Sequence, residues 1–370
     1  NYIDLGKDCS TAEINPLFSD SVYIDRLSRI PAIMEMPYND IIRKFIDMYA
    51  GRLRNQVSFM LSACNFYMPI FEEALDAYGL PLELRYLPII ESALNPSAVS
   101  RAGASGLWQF MIGTGKIYGL ESNSLVDERR DPIKATWAAA RYLKEMYDIY
   151  GDWNLVIAAY NCGPGTINKA IRRANGETDY WKIYNYLPKE TRGYVPAFIA
   201  ANYVMTYYCD HNICPMETNI PASTDTVQVN KNLHFEQIAD LCNVPLDQIK
   251  SLNPQYKKQM IPGDSKPYTL RLPIDAISTF IDKQDTIYAH RADELFRNRK
   301  TVAVKEITPS TRKTTTAVAG KGKLTYYTIK SGDTLSTIAG KYGVTIKDIQ
   351  RWNGMSNTKI AAGKRLKIYK

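Results

Sequence analysis

The run YLPIIESALNPSAVS, residues 86–100, holds a single acid, Glu91, among apolar side chains just ahead of an Asn95-Pro96 stop. On a continuous helix Leu80, Leu84, Leu87 and Glu91 share one face, so the glutamate takes a place where an apolar residue is expected. The Asn-Pro pair ends that helix and leaves the carboxylate near its negative pole. Burial and dipole both disfavour ionisation, and an acid kept protonated near neutral pH is what proton donation to a leaving oxygen requires. An exposed glutamate at a frayed helix end is the competing reading. Three further stretches supply polar groups to such a site. In RAGASGLWQF, Gln109 is the polar side chain of an apolar turn, and its amide needs a partner or a ligand. In AAYNCGPG, Asn161 and Gly163 suit a helix end, whereas capping gives Tyr160 no reason to be there. In ETRGYVPAF, Tyr194 opens an apolar helix and can bring a hydroxyl to a buried acid, a core tyrosine being the ordinary alternative.

The elements that must position these residues read as helices. YNDIIRKFIDMYAGRLRNQVSFML, PIFEEALDAYGLP, PIKATWAAARYLKEMYDIYG, NLVIAAYN and TRGYVPAFIAANYVMTYYC carry apolar residues at three- and four-residue intervals. Beyond about residue 215 the pattern changes to short β-like runs, DTVQV with YTLRLP and TYYTIK with KRLKIY, each pair enclosing a segment of helical periodicity. The two units align at a constant offset: Ile238 on Ile338, Ala239 on Ala339, Val244 on Val344, Ile249 on Ile349, Asn253 on Asn353, Gly263 on Gly363. A repeat of strand, two helices, strand follows, and the fold class is mainly α with small βααβ modules at the C-terminus. Between the copies, KEITPSTRKTTTAVAGKGK has little to bury and reads as a flexible linker.

With 370 residues, 45% of them hydrophobic, the chain can bury cores for two or three domains. No apolar run approaches the roughly eighteen residues of a membrane helix, so a soluble protein is expected. The chain starts at Asn1 without methionine, which leaves room for an export signal or lipid anchor upstream. The six cysteines form no CxxC pair and no His/Cys metal spacing, so neither a metal nor a cofactor is expected. Cys209 and Cys214 are close enough for a short disulfide loop in an oxidising compartment, with buried thiols as the alternative. Residues 297–370 carry 17 Lys and Arg against 3 acids, a local +14, so residues 1–296 hold −6 of the total +8. A basic C-terminal tail of this kind meets something anionic or serves solubility alone.

ESALNPSAVSRAGASGLWQFMIGTG, DERRDP, AAYNCGPG and ETRGYVP together resemble the lytic transglycosylase domain, the goose-lysozyme-like family that cleaves bacterial peptidoglycan. The resemblance covers about residues 80–210 and implies a lysozyme-like helical catalytic domain. It makes Glu91 the single catalytic acid and Ser100, Gln109, Tyr160, Asn161 and Tyr194 substrate-binding or orienting residues. Ala102 stands where some relatives carry a second serine. Asp127, Arg129, Arg130 and Asp131 read as a salt-bridged turn entering the next helix. The implied reaction needs one carboxyl group: Glu91 protonates the oxygen between N-acetylmuramic acid and N-acetylglucosamine, then removes the proton of the muramic 6-hydroxyl as that oxygen closes on the anomeric carbon. Ordinary glycoside hydrolases use two flanking carboxylates. A hydrolytic muramidase therefore needs a second acid near the cleft, for which Glu121, Asp127 and Glu190 are the candidates.

YYTIKSGDTLSTIAGKYGVTIKDIQRWNGMSNTKIAAGKRLKIYK resembles a LysM module, a glycan-binding βααβ unit. By resemblance its groove involves Gly332, Asp333, Thr334, Leu335, Asn353 and Ile360. The first copy has NKNLHF in place of KSGDTL and reads as a degenerate unit that packs on the catalytic domain and binds glycan weakly or not at all. The expected organisation is a helical extension, 1–79; the catalytic domain, 80–215; the degenerate unit and following segment, 222–296; a basic linker, 297–323; and LysM, 324–370. The expected partner is the peptidoglycan strand, in the periplasm or cell envelope with outer-membrane association as one option, and the protein is expected to be a monomer. A non-catalytic wall-binding protein is the alternative outside enzymology, and no nucleic-acid motif accompanies the basic residues.

Overall fold

Side-chain caps start several of the helices in the first part of the computed structural model, which describes residues 3, 14–221, 223–297, 302, 304–307, 324–330, 332–355, 357–358 and 360–369. Cys9 and residues 308–323 of the expected linker lie outside the described residues. Two units, 1–307 and 308–370, each have their own core.

In the first unit α1 (Asp20–Ser28), α2 (Asp40–Ala50) and α3 (Arg54–Ala77) precede a broken turn and α4 (Leu87–Ser92). The helices α5 (Ile112–Ile117), α6 (Pro132–Tyr150), α7 (Trp153–Cys162), α8 (Pro164–Arg173), α9 (Tyr180–Ile183), α10 (Lys189–Arg192) and α11 (Tyr194–Thr206) follow. Asn39 accepts from the amides of Ile41 and Ile42 to start α2, Asp131 from those of Ile133 and Lys134 to start α6, and Asp152 from that of Leu155 to start α7. Helix α11 is apolar on every side and forms the centre, with Val195, Phe198, Ile199, Ala200, Ala201 and Val204 fully buried against α2, α4 and α7.

The single helix expected through Leu80, Leu84, Leu87 and Glu91 is not continuous. A 3₁₀ turn, Leu82–Tyr86, precedes the six-residue α4, because Pro81 precedes the turn and Pro88 occupies the first turn of α4. The three leucines are buried nonetheless, and Glu91 stays on the inward side of a helix one and a half turns long.

Strands β1 (Thr224–Val229) and β4 (Tyr268–Pro273) pair antiparallel around α12 (Phe235–Cys242) and α13 (Leu246–Leu252). A second small pair, β2 (Asn232–His234) with β3 (Met260–Pro262), lies inside this unit. Helices α14 (Ile274–Asp282), α15 (Gln284–Ala289) and α16 (Ala292–Leu295) close it. Its core includes two residues from the helical part, Leu125 and Val126, both almost fully buried. The second unit is β5 (Leu324–Thr328), α17 (Leu335–Tyr342), α18 (Ile346–Asn353) and β6 (Arg365–Tyr369), with β5 antiparallel to β6 around Ile338, Ile349, Trp352 and Ile368.

Cys214 is disulfide-bonded, but Cys209 is not its partner, so the short loop between them does not form. No described helix is long and apolar enough to cross a membrane.

Candidate active site

Glu91 is held at the end of α4 by what surrounds that end. Ser92 Oγ donates to the carbonyls of Pro88 (3.0 Å) and Leu107 (2.9 Å), tying the helix to the loop that follows. Ala93 and Leu94 then take left-handed backbone angles, φ 51° and 58°, a conformation that costs non-glycine residues about 1–2 kcal/mol each. Gln109, across the cleft, has φ 49°. Strained non-glycine residues on both sides of one carboxyl are a common mark of a functional site.

The residue retains some solvent access, but protein closes around its carboxyl, and desolvation pushes its pKa up to about 7. The Tyr194 hydroxyl, buried at the start of α11, donates to Glu91 Oε1 and opposes that rise; the charge of Glu190 adds to it. Burial, rather than the dipole of so short a helix, is the main cause. An acid with this pKa is present in both protonated and ionised forms around neutral pH.

Residues 98–110 form a tight loop beside it. Ser100 N donates to Ala104 O (2.8 Å), Ser100 Oγ accepts from Ala104 N (3.0 Å), and Ser105 N donates to Phe110 O (3.0 Å). The Gln109 amide nitrogen donates inside the loop, to Gly106 O (2.8 Å) and Ala98 O (3.3 Å). Tyr160, at the end of α7, donates to Trp108 O (2.7 Å) and so pins the loop to the helical core. Asn161 Oδ1 accepts from Thr191 Oγ1 (2.9 Å), which links α7 to α10.

A cleft of about 420 Å³ brings Glu91, Ser100, Gln109, Tyr160 and Asn161 together. Tyr194 reaches the carboxyl from behind. On the other side of the acid a groove of about 370 Å³ shares Glu91, Ser100 and Gln109 and is walled by Tyr49, Leu53 and Gln56 from α2, α3 and their connection. The proton donor therefore sits where two open spaces meet, which is where a bond within a polymer must lie to be protonated with residues of the polymer on either side. Of the three candidate second acids only Glu190 lines the cleft. Glu121 is engaged by Lys266 and Tyr268, and Asp127 is buried in a bidentate pair with Arg129 (2.8 Å twice). Arg129 and Lys257 hold the Asp127 carboxyl below its ordinary value, against the opposing effect of burial. Tyr142 lines the cleft as well, a residue whose helical position in α6 carries no sequence signal, and the same holds for Tyr49 and Gln56. Among the described residues no group of three or more His, Cys, Asp or Glu is placed to hold a metal ion.

In the second unit the six residues expected in the glycan groove divide. Leu335 is core. Asp333 Oδ2 accepts from Tyr327 Oη and Lys330 N, both at 2.8 Å, and Thr334 caps α17. Asn353 donates to Ile349 O and Lys367 O and accepts from Lys367 N at 2.7–2.8 Å, so its amide is fully used in joining α18 to β6. Asn253 makes the same three bonds in the first unit, to Ile249 O, Arg271 O and Arg271 N. Gly332 and Thr334 are exposed and Ile360 is half-buried.

One desolvated acid on a short helix suits single-acid cleavage of a glycan, and similarity over most of its length shows that the chain belongs to the lytic transglycosylase family. The transglycosylase SLT domain family matches residues 68–183, the LysM-like domain of lytic transglycosylase MltD matches 223–289, and the LysM domain matches 327–368. Within the family the chain is 32% identical over 341 residues to the membrane-bound lytic murein transglycosylase D of Escherichia coli (strain K12), covering 90% of this chain and 70% of the relative. The soluble lytic murein transglycosylase of the same strain is 33% identical over 124 residues, 32% of this chain and 19% of its own. Among solved structures, the 70 kDa soluble lytic transglycosylase SLT70 of Escherichia coli aligns with 50% of this chain and 33% of its own, at 23% identity and a TM-score of 0.35.

Proposed function

We propose that the chain cleaves the β-1,4 bond between N-acetylmuramic acid and N-acetylglucosamine of peptidoglycan without water as nucleophile, leaving 1,6-anhydro ends. The observation that carries this reading is Glu91, an acid with a pKa of about 7, hydrogen-bonded by Tyr194 at the meeting of two grooves. In the first step Glu91 gives its proton to the glycosidic oxygen as that bond breaks. In the second the Glu91 carboxylate takes the proton from the muramic 6-hydroxyl while its oxygen bonds to the anomeric carbon. One group near neutral pKa serves both directions, as general acid–base catalysis favours. Tyr194 stabilises the carboxylate between the steps, Ser100 and Gln109 shape the loop against which the reacting sugar lies, and Tyr160 with Asn161 holds that loop and the opposite wall.

Glu190 supports one alternative. A second carboxylate at the cleft is what an inverting hydrolase uses to activate water. Glu190 is exposed at the rim rather than enclosed, and in the present reading it acts on the Glu91 pKa through its charge.

LysM then holds the enzyme on the glycan through the two loops that carry Gly332 with Thr334 and Ile360, with the whole in the cell envelope. Tethering of this kind raises the local concentration of the active site without changing its chemistry. The test is the mass of fragments released from purified peptidoglycan by the protein and by Glu91→Gln. Fragments one water lighter than hydrolysis products, from the unsubstituted protein alone, support the reading; full-weight reducing ends that vanish in Glu190→Gln transfer the assignment to the hydrolase.

A further inference from the structure

The LysM-like unit of residues 224–273 contributes no residue to the lining of either space beside Glu91, yet it is joined to the loop that builds them. Residues 121–127 leave the helical part and insert Leu125 and Val126 into the core of this unit. Backbone pairing seals the insertion: Val126 bridges Tyr256, Asp127 N donates to Gln255 O (2.9 Å), and Lys257 N donates to Leu125 O (2.6 Å). Lys257 Nζ donates to Asn123 O (2.9 Å) and lies 3.8 Å from Asp127 Oδ2. At the edge of the same contact, Tyr268 Oη donates to Glu121, and Lys266 pairs with it at 2.7 Å.

From Asp127 the chain of contacts runs straight to the catalytic loop. Asp127 grips Arg129 through both carboxylate oxygens, and Arg129 Nη1 donates to Gly103 O (2.8 Å) and Phe110 O (2.9 Å), the two sides of the loop bearing Ser100 and Gln109. Arg130 Nε donates to Ser105 Oγ (3.0 Å). The loop lies so close that a Cβ on Gly106, φ 87°, would come within 1.7 Å of Arg129 O. Ser105, Phe110, Asp127, Arg129 and Gln255 are buried, and Gly103, Arg130 and Lys257 half-buried, so the middle of the network has little freedom to slip.

The loops corresponding to the glycan side of the second copy are meanwhile closed in the first. Pairing of β2 with β3 sets Asn232 opposite Pro262, Asn232 Nδ2 donates to Asp264 (2.6 Å), and a Cβ on Gly263 would meet Lys231 O at 2.2 Å. At Gly332 and Gly363 of the second copy the same positions open onto free space.

We infer that the first LysM-like unit is a positioning element of the active site rather than a glycan-capture module, with Gln255–Lys257 holding the Asp127–Arg129 pair that fixes the Ser100–Gln109 loop. The inference rests on the catalytic reading of the Glu91 cleft. Lys257 is a positioning residue: it touches no substrate and acts through Asp127 and Arg129. Misplacing a reacting group by about 1 Å can cost on the order of a hundredfold, so a partial loosening costs less.

The test compares Lys257→Met and Lys257→Arg in the full chain, by initial rates over a range of glycan-strand concentrations, circular dichroism and retention on insoluble peptidoglycan. The expected Lys257→Met protein is folded and still retained on the wall, with kcat lower by roughly tenfold and the basic limb of its pH–rate profile unmoved. Lys257→Arg recovers most of the rate. A folded Lys257→Met with unsubstituted turnover overturns the inference, as does an Arg variant no better than Met. Should Lys257→Met fail to fold, Glu121→Gln loosens the same contact from its edge: a native spectrum with lowered kcat supports the inference and a native spectrum with full kcat overturns it. Glu91→Gln separates the two readings. An active Glu91→Gln removes the catalytic assignment itself, whereas an inactive Glu91→Gln beside a fully active Lys257→Met removes this inference alone.

Discussion

Replacing Tyr194 with phenylalanine should move the activity of this enzyme to higher pH, the opposite of what loss of an active-site hydroxyl first brings to mind. The hydroxyl donates to Glu91 Oε1 and favours the ionised form, so it holds the pKa below the level that burial alone would set. A hydrogen bond to a charged group contributes about 1.5–3 kcal/mol, and about 1.4 kcal/mol corresponds to one pKa unit. Tyr194→Phe should therefore displace the group upward by roughly one to two units. The acid must be protonated to donate, so the rate falls as pH rises through its pKa, about 7 in the unsubstituted protein. The assay is kcat/KM on soluble glycan strands from pH 5 to pH 10, whose basic limb reports the free enzyme's acid. The limb should shift upward in Tyr194→Phe even as the maximal rate drops, since the carboxylate between the two steps loses its donor. A limb that stays at its original pH, or moves down, would show that the titrating group is not Glu91 or that Tyr194 does not stabilise its charge.

Other outcomes follow from the same geometry. Glu190→Gln removes a charge that raises the Glu91 pKa, so its basic limb should move to lower pH; the displacement should be under about one unit and shrink in high salt, because Glu190 is exposed. Glu91→Gln should stabilise the fold above neutrality. The folded pKa, about 7, exceeds the ordinary 4.5, so the unfolded chain loses this proton first and the unsubstituted protein loses stability between those values. Urea unfolding at pH 4 and pH 8 should show a gap nearly absent at the lower pH and on the order of 3 kcal/mol at the higher; no change between the two would mean the carboxyl is not desolvated. Asn353→Ala should cost about 1–3 kcal/mol in the unfolding of the LysM module, read by denaturation, because it severs three bonds between α18 and β6. Loss of glycan binding in a variant of unchanged stability would instead make Asn353 a ligand.

Residue types carried the chemistry of the cleft further than they carried its construction. Glu91, Gln109, Tyr160 and Tyr194 each stand out as a polar group in an apolar run, but each alone has an ordinary structural reading and the family resemblance joined them; the structure brings the first three to one cleft and bonds Tyr194 to the acid. The helix break before α4 was hidden by leucines that are buried whether or not the helix is continuous, since a 3₁₀ turn preserves their side. Asn353 entered the glycan groove by family resemblance, whereas the bonds its amide makes, repeated by Asn253 in the other copy, give it a structural role that only backbone partners reveal. Closeness in sequence likewise did not pair Cys209 with Cys214. The docking of Gln255–Lys257 onto Leu125–Asp127 left no trace in periodicity, because it joins main-chain groups more than a hundred residues apart. Tyr49 and Gln56 belong to helices outside the motifs, and nothing in an amphipathic pattern says that its edge forms the wall of a groove.

The most direct measurement is digestion of purified peptidoglycan in oxygen-18-enriched water, with mass spectrometry of the new glycan ends. Ring closure by the muramic 6-hydroxyl predicts ends one water lighter and free of the heavy isotope, formed by the unsubstituted protein and absent with Glu91→Gln. Ends of full weight carrying the isotope would show water as the nucleophile and contradict single-acid transglycosylation at Glu91.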